Sequence, residues 1–330
     1  MNMDSRLLRI GTAVLACVLA MHLVIRVRGD AVKPGLGAQR LGQAIVFLTT
    51  GRVVRQADID AVSTEPETVT QPPEPSAPKR QPVTLSAEDA ELVKIKNTAQ
   101  VDVDIPQMIG QPLDWDLKQD GPAVLILHTH GSESYENTEN YTPSSSYRTL
   151  DSRYNVVSVG ERIAKLLEAE GIAVLHDRTL HDDPSYSGSY EQSRKSVQAY
   201  LEEYPSIRLV LDIHRDAAED ASGNQVGYTV DTPGGTAAQL MLVLGTDVGG
   251  LHHPAWRENL SLGVKLQACL EKTVPGICRD MSIRTSRFNQ DLSPGALLVE
   301  VGAAGNTRQE ALVAAGYLAE AIIALAEGTK

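Results

Sequence analysis

Three short apolar segments in this chain each lead directly into residues of the types that can bind metals or transfer protons. The segments are residues 123–127, 209–211 and 296–299. Near-continuous apolar runs of this kind are typical of strands buried on both faces of a parallel sheet. In open α/β sheets the ligand crevice lies beyond the carboxyl ends of such strands. The sequence therefore predicts that the polar residues after these three strands meet at one edge of a sheet.

The residues that follow these strands are of the types found in catalytic zinc sites. His128, His130 and Glu133 follow the first strand, His214 follows the second and Glu300 follows the third. A single histidine is more often hydrogen-bonded or exposed than a metal ligand, but a cluster of charged groups behind buried strands needs compensation. The set matches a three-ligand catalytic zinc site with an added general base.

The choice of the first ligand depends on how far the first strand continues. His128 and His130 are two residues apart, so they point to the same side if the strand persists. Gly131 permits a turn that brings Glu133 back toward the same space. We predict His128, Glu133 and His214 as the zinc ligands, with His130 either a nearby substrate-facing residue or a rival for the first position.

Two further carboxylates have both a functional and a structural interpretation. Glu300 would accept a proton from water and pass it to the leaving nitrogen; the structural alternative is a salt bridge to Arg284 or Arg287. Asp212 lies on the same face as His214 and could orient its imidazole; the alternative is a salt bridge to Arg215 or another basic residue. Residues 181–186 are typical of a loop that could line a groove.

Strand and helix patterns alternate from about residue 88 onward. Helices are predicted from a cap at Asn155 to a stop at Gly171, over residues 189–204 and 256–272, and from a capping box at Thr307 and Glu310 to about residue 327. Strands are predicted over residues 172–175, 241–244 and 297–301. This alternation indicates an α/β fold with a mostly parallel twisted sheet and helices on both faces.

The N-terminal quarter of the sequence predicts a membrane anchor and a tether. An apolar run from Ile10 to Ile25 is flanked by arginines and approaches the length of about 17–25 residues that a membrane-spanning helix needs. We predict an uncleaved single-pass anchor over residues 1–28, the alternative being a cleaved signal peptide. Residues 29–87 are rich in Pro and charge, which is typical of an extended tether, and residues 88–330 form the globular domain. The predicted location is the cell membrane, with this domain outside the cytoplasm.

Charge and cysteine content narrow the possible functions. The formal net charge is −12 and no basic block occurs beyond the extreme N-terminus, which argues against binding to nucleic acid. Cys269 and Cys278 could pair in an exported domain, but we favour two unpaired, small apolar side chains. No Gly-x-Ser-x-Gly motif is present, so a serine hydrolase is not indicated.

Several motifs in order resemble the stage II sporulation protein P family of membrane-anchored cell-wall amidases from endospore-forming bacteria. The matching segments are residues 128–135, 212–217, 253–260, 289–293 and 298–302. The resemblance runs from about residue 90 to the C-terminus and implies an N-acetylmuramoyl-L-alanine amidase fold.

The resemblance also implies an activity and a set of site residues. The activity is zinc-dependent cleavage of the bond between muramic acid and the stem peptide of peptidoglycan, with added endopeptidase activity on cross-links. By motif, His128, Glu133 and His214 would hold Zn²⁺ and Glu300 would be the catalytic carboxylate. The family further implies a lytic transglycosylase and a polytopic membrane protein as partners during forespore engulfment. The competing hypothesis is a non-catalytic wall-binding or scaffold protein with the same fold.

Overall fold

A computed structural model describes residues 74–78, 83–113, 115–136 and 141–328, all within one compact unit. The predicted anchor over residues 1–28 and most of the predicted tether lie outside the described residues. Residues 83–86, assigned above to the tether, already pack here: Val83 and Leu85 contact the main core, and Thr84 O accepts a hydrogen bond from Lys272 Nζ at 2.9 Å.

The described residues contain nine strands and five α-helices. The strands are β1 Ile95–Asn97, β2 Val124–Leu127, β3 Val174–His176, β4 Leu209–Asp216, β5 Thr229–Thr232, β6 Gly235–Ala238, β7 Leu240–Leu244, β8 Met281–Ile283 and β9 Ala296–Ala303. The helices are α1 Ile105–Gly110, α2 Val157–Ala169, α3 Ser189–Glu203, α4 Trp256–Thr273 and α5 Arg308–Gly328. Short 3₁₀ turns cover Ala87–Leu92, Tyr186–Gly188 and Gln290–Leu292.

Seven strands form one sheet in the order β1-β8-β7-β9-β4-β2-β3, while β5 and β6 form a separate hairpin. Every neighbouring pair in the large sheet is parallel except β7 and β9, which are antiparallel. The predicted mostly parallel sheet is therefore confirmed. Two parallel groups of strands meet at the β7–β9 pair.

Helices cover both faces of the sheet, as predicted. Alternate residues of a strand point to opposite sides, so a strand that is apolar throughout packs against helices on both faces. Val124 and Ile126 of β2 belong to the main core together with residues of α2, α4 and α5. Leu125 and Leu127 belong to a second cluster that includes Val197 of α3. We refer to these sides as the α2 face and the α3 face.

Local signals in the sequence set several helix ends. Asn155 Oδ1 accepts a hydrogen bond from Val157 N at 3.0 Å at the start of α2. Gly171, after the end of α2, has a φ of +79°, which glycine adopts without strain. The capping box of α5 is present: Glu310 N donates to Thr307 Oγ1 at 3.2 Å and Thr307 N donates to Glu310 Oε2 at 3.0 Å.

The strand boundaries differ from the predicted ones. β4 continues past the apolar run of residues 209–211 to Asp216, β9 covers Ala296–Ala303 rather than residues 297–301, and β3 begins two residues later than expected. The extension occurs because β4 and β9 remain paired past Asp212, with His214 opposite Glu300. A polar side chain on one face does not end a strand whose backbone partners continue.

The two cysteines and the apolar C-terminal helix pack in or against the core of this domain. Cys269 and Cys278 are both free thiols, in agreement with the favoured interpretation. α5 is long and apolar enough to cross a membrane, with a mean hydropathy of 1.6 over its most apolar window, but 83% of that window is buried inside the domain. α5 is accordingly a core helix of this unit.

Candidate functional site

Two of the predicted site residues are direct neighbours across a strand pair. His214 of β4 and Glu300 of β9 are register partners in a parallel ladder. Neighbours in register point to the same side of a sheet, and the alternation from Val210 places both on the α3 face. The site therefore lies along the middle of two strands rather than beyond their ends.

Glu133 reaches the same position from the segment after β2. Its Oε2 lies 3.3 Å from His214 Nδ1 and accepts a hydrogen bond from Arg215 N at 3.2 Å. Its Oε1 lies 3.5 Å from an Arg148 guanidinium nitrogen and 3.7 Å from one of Arg215. Burial by itself would raise the pKa of Glu133, but His214 and Arg215 hold it at about 2. Glu133 is therefore an ionised, buried carboxylate in contact with an imidazole.

The two histidines after β2 point in different directions. β2 ends at Leu127 and turns begin at Thr129, so the condition for His128 and His130 to share a side is not met. His128 Nδ1 lies 3.0 Å from Ile213 O and its Nε2 lies 2.9 Å from His176 Nε2. The His128 ring is packed under Gly160 on the α2 face, where a Cβ on that glycine would come within 2.7 Å of it.

His130, in contrast, is beside the Glu133–His214 pair. Its ring centroid is 5.3 Å from that of His214, and its Nδ1 is buried without a hydrogen-bond partner. Burial lowers the pKa of His130 to about 4, so the imidazole is neutral near pH 7. A neutral imidazole is the form that binds a metal ion. The structure therefore brings together Glu133, His214, Glu300 and His130, and it directs His128 elsewhere.

Asp212 contacts the other ring nitrogen of His214. Its Oδ1 lies 2.9 Å from His214 Nε2, a contact that is not aligned as a hydrogen bond. Thr129 also binds this carboxylate, through its backbone N–H at 2.8 Å and its hydroxyl at 2.6 Å. The alternative salt bridge to Arg215 is absent, since that guanidinium instead donates to Ser134 O and Tyr147 O. Contacts with Asp212 and Glu133 hold the pKa of His214 well above its usual value despite burial.

Glu300 forms no salt bridge with Arg284 or Arg287, the two partners that its structural interpretation required. Arg284 donates to Ser282 Oγ, and Arg287 pairs with Asp291. The Glu300 Oε2 atom is buried and has no hydrogen-bond partner among the described residues. Burial raises the pKa of Glu300 to about 8, with the Glu133 carboxylate adding to the shift and His214 opposing it. A carboxyl with a pKa near neutral can act as a proton acceptor and donor.

An exposed aromatic side chain forms one wall of the site. Tyr186, in the predicted groove-lining loop, stacks on His130 with ring centroids 4.2 Å apart, although 55% of its surface is exposed. The Arg148 guanidinium lies 4.4 Å from the Tyr186 ring centre and binds Asp182 at 2.8 Å. Arg148 was missed by sequence reasoning, because it lies in a polar loop that carries no motif.

The donor atoms at this site fit a zinc ion. No group of three or more His, Cys, Asp or Glu side chains among the described residues is already arranged to hold a metal. However, His130 Nδ1 and Glu300 Oε2 are buried without a hydrogen-bond partner among the described residues, and Glu133 Oε2 lies 3.3 Å from His214 Nδ1. Buried polar atoms of this kind are rare and call for a catalytic role, a water or an ion. Two imidazoles and one carboxylate, which His130, His214 and Glu133 would supply, are also a ligand set of catalytic zinc sites.

Comparison with solved structures finds amidases, at low similarity. The CwlD amidase from Clostridioides difficile, solved in complex with the GerS lipoprotein, is 15% identical over 62% of this chain and 95% of that chain, with a TM-score of 0.38. The N-acetylmuramoyl-L-alanine amidase AmiC2 of Nostoc punctiforme is 15% identical over 64% of this chain and 97% of that chain, with a TM-score of 0.35. Scores this low do not establish a common fold, so function is inferred from the family and from the residues of this chain.

Sequence comparison identifies the family. Stage II sporulation protein P from Bacillus subtilis (strain 168) is 29% identical over 217 residues, which are 61% of this chain and 50% of that protein. The chain thus spans about half the length of the curated relative that it matches. The family model for stage II sporulation protein P matches residues 40–323. Because this match covers most of the sequence, the chain belongs to the stage II sporulation protein P family.

Proposed function

We propose that this chain is a zinc-dependent N-acetylmuramoyl-L-alanine amidase that cleaves the bond between muramic acid and the stem peptide of peptidoglycan. The observation that carries the proposal is the pairing of His214 with Glu300 across β4 and β9, with Glu133 in contact with the same imidazole. Family membership supports the substrate class, and the unpartnered buried atoms support a metal-dependent site.

His130, Glu133 and His214 are the ligand set that the geometry favours. His128, the first ligand expected from the sequence, has both ring nitrogens in contact with other groups on the α2 face. When bound, zinc supplies Lewis-acid activation of water and polarises the amide carbonyl. Arg148 and Arg215 flank Glu133, so its carboxylate stays ionised and available.

Glu300 carries the proton in the proposed reaction. It accepts a proton from the attacking water and returns it to the leaving amide nitrogen, a role that suits a carboxyl whose pKa is raised to about 8. Asp212 orients the His214 imidazole from the side opposite Glu133. Tyr186, exposed beside His130, offers a flat surface on which the sugar or peptide can pack.

The sequence and the family support a proposed cellular location, a set of partners and a second activity. We propose that residues 1–28 anchor the protein in the membrane, that the predicted tether up to residue 82 spaces the domain from it, and that the domain acts outside the cytoplasm. A lytic transglycosylase and a polytopic membrane protein are the proposed partners, and cleavage of peptide cross-links is a proposed second activity. Zinc amidases that cleave an insoluble wall gain from a tether, because it restricts them to the gap between membrane and wall.

The decisive experiment combines metal analysis with product masses. The full-length chain is purified, its zinc content is measured, and purified peptidoglycan is digested with wild type, Glu300→Gln and Glu202→Gln. Glu202 is an exposed carboxylate on α3 and serves as the matched control. We expect released stem peptides with free N-termini from wild type and Glu202→Gln, and none above background from Glu300→Gln. A zinc-loaded wild type that binds wall but releases nothing would contradict the amidase and favour the scaffold alternative.

The ligand set is tested by zinc stoichiometry in single variants. His130→Ala and His214→Ala are expected to lose stoichiometric zinc, whereas His128→Ala is expected to keep it while losing stability. Loss of zinc from His128→Ala and retention by His130→Ala would restore the ligand set expected from the sequence.

A further inference from the structure

The segment Asn289-Gln290-Asp291-Leu292-Ser293, one of the family-like motifs, has no role in the chemistry described above. It begins in a left-handed backbone conformation, with φ of +52° at Phe288 and +56° at Asn289. Asparagine tolerates that conformation better than most residues. Asn289 Nδ2 donates to Tyr190 O at 2.8 Å and to Ser193 Oγ at 3.1 Å. Arg194 in turn donates to Asn289 Oδ1 at 3.4 Å, so the amide is fixed at both ends.

A line of hydrogen bonds continues from Ser193 to the candidate site. Ser193 Oγ lies 2.8 Å from Thr129 Oγ1, and Thr129 Oγ1 lies 2.6 Å from Asp212 Oδ2. Both hydroxyl-bearing residues and Asp212 are buried. The other Asp212 oxygen lies 2.9 Å from His214 Nε2. We call Asn289, Ser193, Thr129 and Asp212 the polar series.

The number of protons available on these side chains fixes the direction in which each hydrogen bond of the polar series is donated. The ionised Asp212 carboxylate can only accept, so the one Thr129 hydroxyl proton is donated to it. Thr129 Oγ1 then accepts from Ser193, whose own proton has a longer alternative at Tyr190 O, 3.4 Å away. Ser193 Oγ therefore accepts from the Asn289 amide, which has two protons to donate. Every donor in the line points toward Asp212.

We propose that Asn289, Ser193 and Thr129 are positioning residues that fix the Asp212 carboxylate and, through it, the imidazole of His214. This inference rests on the proposed role of His214 as a zinc ligand. Groups that orient a ligand histidine from behind typically change metal affinity or activity by about 10- to 100-fold when they are removed. Hydrogen bonds donated in one direction also strengthen one another inside a protein.

The position of the motif explains why a distant segment can act on this site. Asp212, His214 and Glu300 all lie on the α3 face, and Ser193 is on α3 itself. The motif follows β8 and precedes β9, and its Asn289 and Asp291 side chains bind the N-terminal half of α3 at Tyr190, Ser193 and Arg194. The motif thereby links the strand that carries Glu300 to the helix that supports Asp212.

The test uses four single variants of the full-length protein and measures the zinc dissociation constant by competition with a chelator. Thr129→Val removes the hydroxyl but keeps the shape and the backbone N–H, and Thr129→Ser restores the hydroxyl. Ser193→Ala interrupts the series one step further away, and Ser196→Ala, on the same helix, is the matched control. We expect about 10-fold weaker binding for Thr129→Val, a smaller loss of about 2- to 5-fold for Ser193→Ala, and none for Thr129→Ser or Ser196→Ala.

A double variant separates a connected series from independent structural effects. If the hydroxyls act in line, Ser193→Ala weakens zinc binding in the wild-type background but not in the Thr129→Val background. Equal losses in both backgrounds would overturn the proposal, because they would show that Ser193 acts independently of Thr129.

A metal-free measurement separates failure of this inference from failure of the zinc proposal. The ring ¹⁵N chemical shifts of His214 are recorded without metal in wild type, Thr129→Val and Ser196→Ala. We expect a change in Thr129→Val alone, and unchanged shifts would overturn the positioning role whatever the zinc result. A changed shift in a protein whose wild type binds no zinc would support the polar series and overturn only the zinc proposal.

Discussion

Asn306 joins three parts of the fold through its side chain, and its replacement provides a quantitative test. Its Oδ1 accepts hydrogen bonds from Ala303 N at 2.9 Å and Tyr228 N at 3.1 Å. Its Nδ2 donates to Tyr228 O at 3.0 Å and to Glu310 Oε2 at 2.9 Å. Its backbone carbonyl accepts from Glu136 N at 2.9 Å. The side chain therefore connects the end of β9, the segment before β5 and the first turn of α5.

Replacing Asn306 with alanine removes all four side-chain hydrogen bonds. The Ala303 N–H is fully buried, so leaving it without an acceptor costs about 1–3 kcal/mol, and each of the three partly buried bonds contributes about 0.5–1.5 kcal/mol. The free energy of unfolding should fall by about 5 kcal/mol in total. For a domain of this size, about 2–4 °C is lost per kcal/mol, so the melting temperature should fall by about 10–20 °C.

The assay is thermal and urea unfolding of the wild type and three variants. Asn224→Ala is the control, because that exposed asparagine makes its side-chain bond within a surface turn, and we expect a change within about 0.5 kcal/mol. Asn306→Asp keeps the oxygen that accepts from Ala303 N and Tyr228 N but places a second carboxylate beside Glu310, so its loss of stability should be intermediate and should shrink at acid pH. If Asn306→Ala lost less than about 1 kcal/mol more than the control, the accounting of buried hydrogen bonds would be refuted.

Three further predictions concern the site and its support. Gly160→Ala would place a Cβ within 2.7 Å of the His128 ring and 2.8 Å of His176 Nε2. We expect the free energy of unfolding in urea to fall by about 1–3 kcal/mol, despite the better helix propensity of alanine. A stabilised variant would contradict the close packing. Tyr186→Ala should raise the KM for peptidoglycan by about 3- to 10-fold with little change in kcat, whereas Tyr186→Phe should behave as wild type; a fall in kcat alone would contradict a role in substrate packing. Because the pKa of Glu300 is raised to about 8 in the folded state, metal-free wild type should lose more stability than Glu300→Gln as pH rises from 5 to 8. An equal difference in the free energy of unfolding between the two proteins at both pH values would contradict this shift.

Local signals in the sequence were sufficient to predict most of the helices and strands. The stop at Gly171 and the capping box at Thr307 and Glu310 each depend on residues no more than three positions apart, so the sequence contains all the information they need. Alternating strands and helices likewise predicted the mostly parallel sheet. The antiparallel β7–β9 pair was not predicted, because the direction of a strand depends on where its connecting segments run.

The extent of β4 shows where apolar patterning stops being informative. The run of apolar residues ends at Leu211, yet the strand continues to Asp216 because β9 pairs with it from Val210 to Asp216, with a register shift after His214. A strand with one face on a polar cleft has no continuous apolar pattern there. Its end is set by its partner strand, which lies more than 80 residues away in the sequence.

The sequence by itself determined which residue types this protein brings to its candidate site: histidines and carboxylates placed directly after apolar runs. Only the tertiary structure decided which of them meet. His128 and His130 are two residues apart, but β2 ends at Leu127 and the chain turns at once, so one imidazole packs on the α2 face and the other lies beside His214. The direction of a side chain after a strand depends on where the backbone leaves the sheet, and that is fixed by packing between segments distant in the sequence.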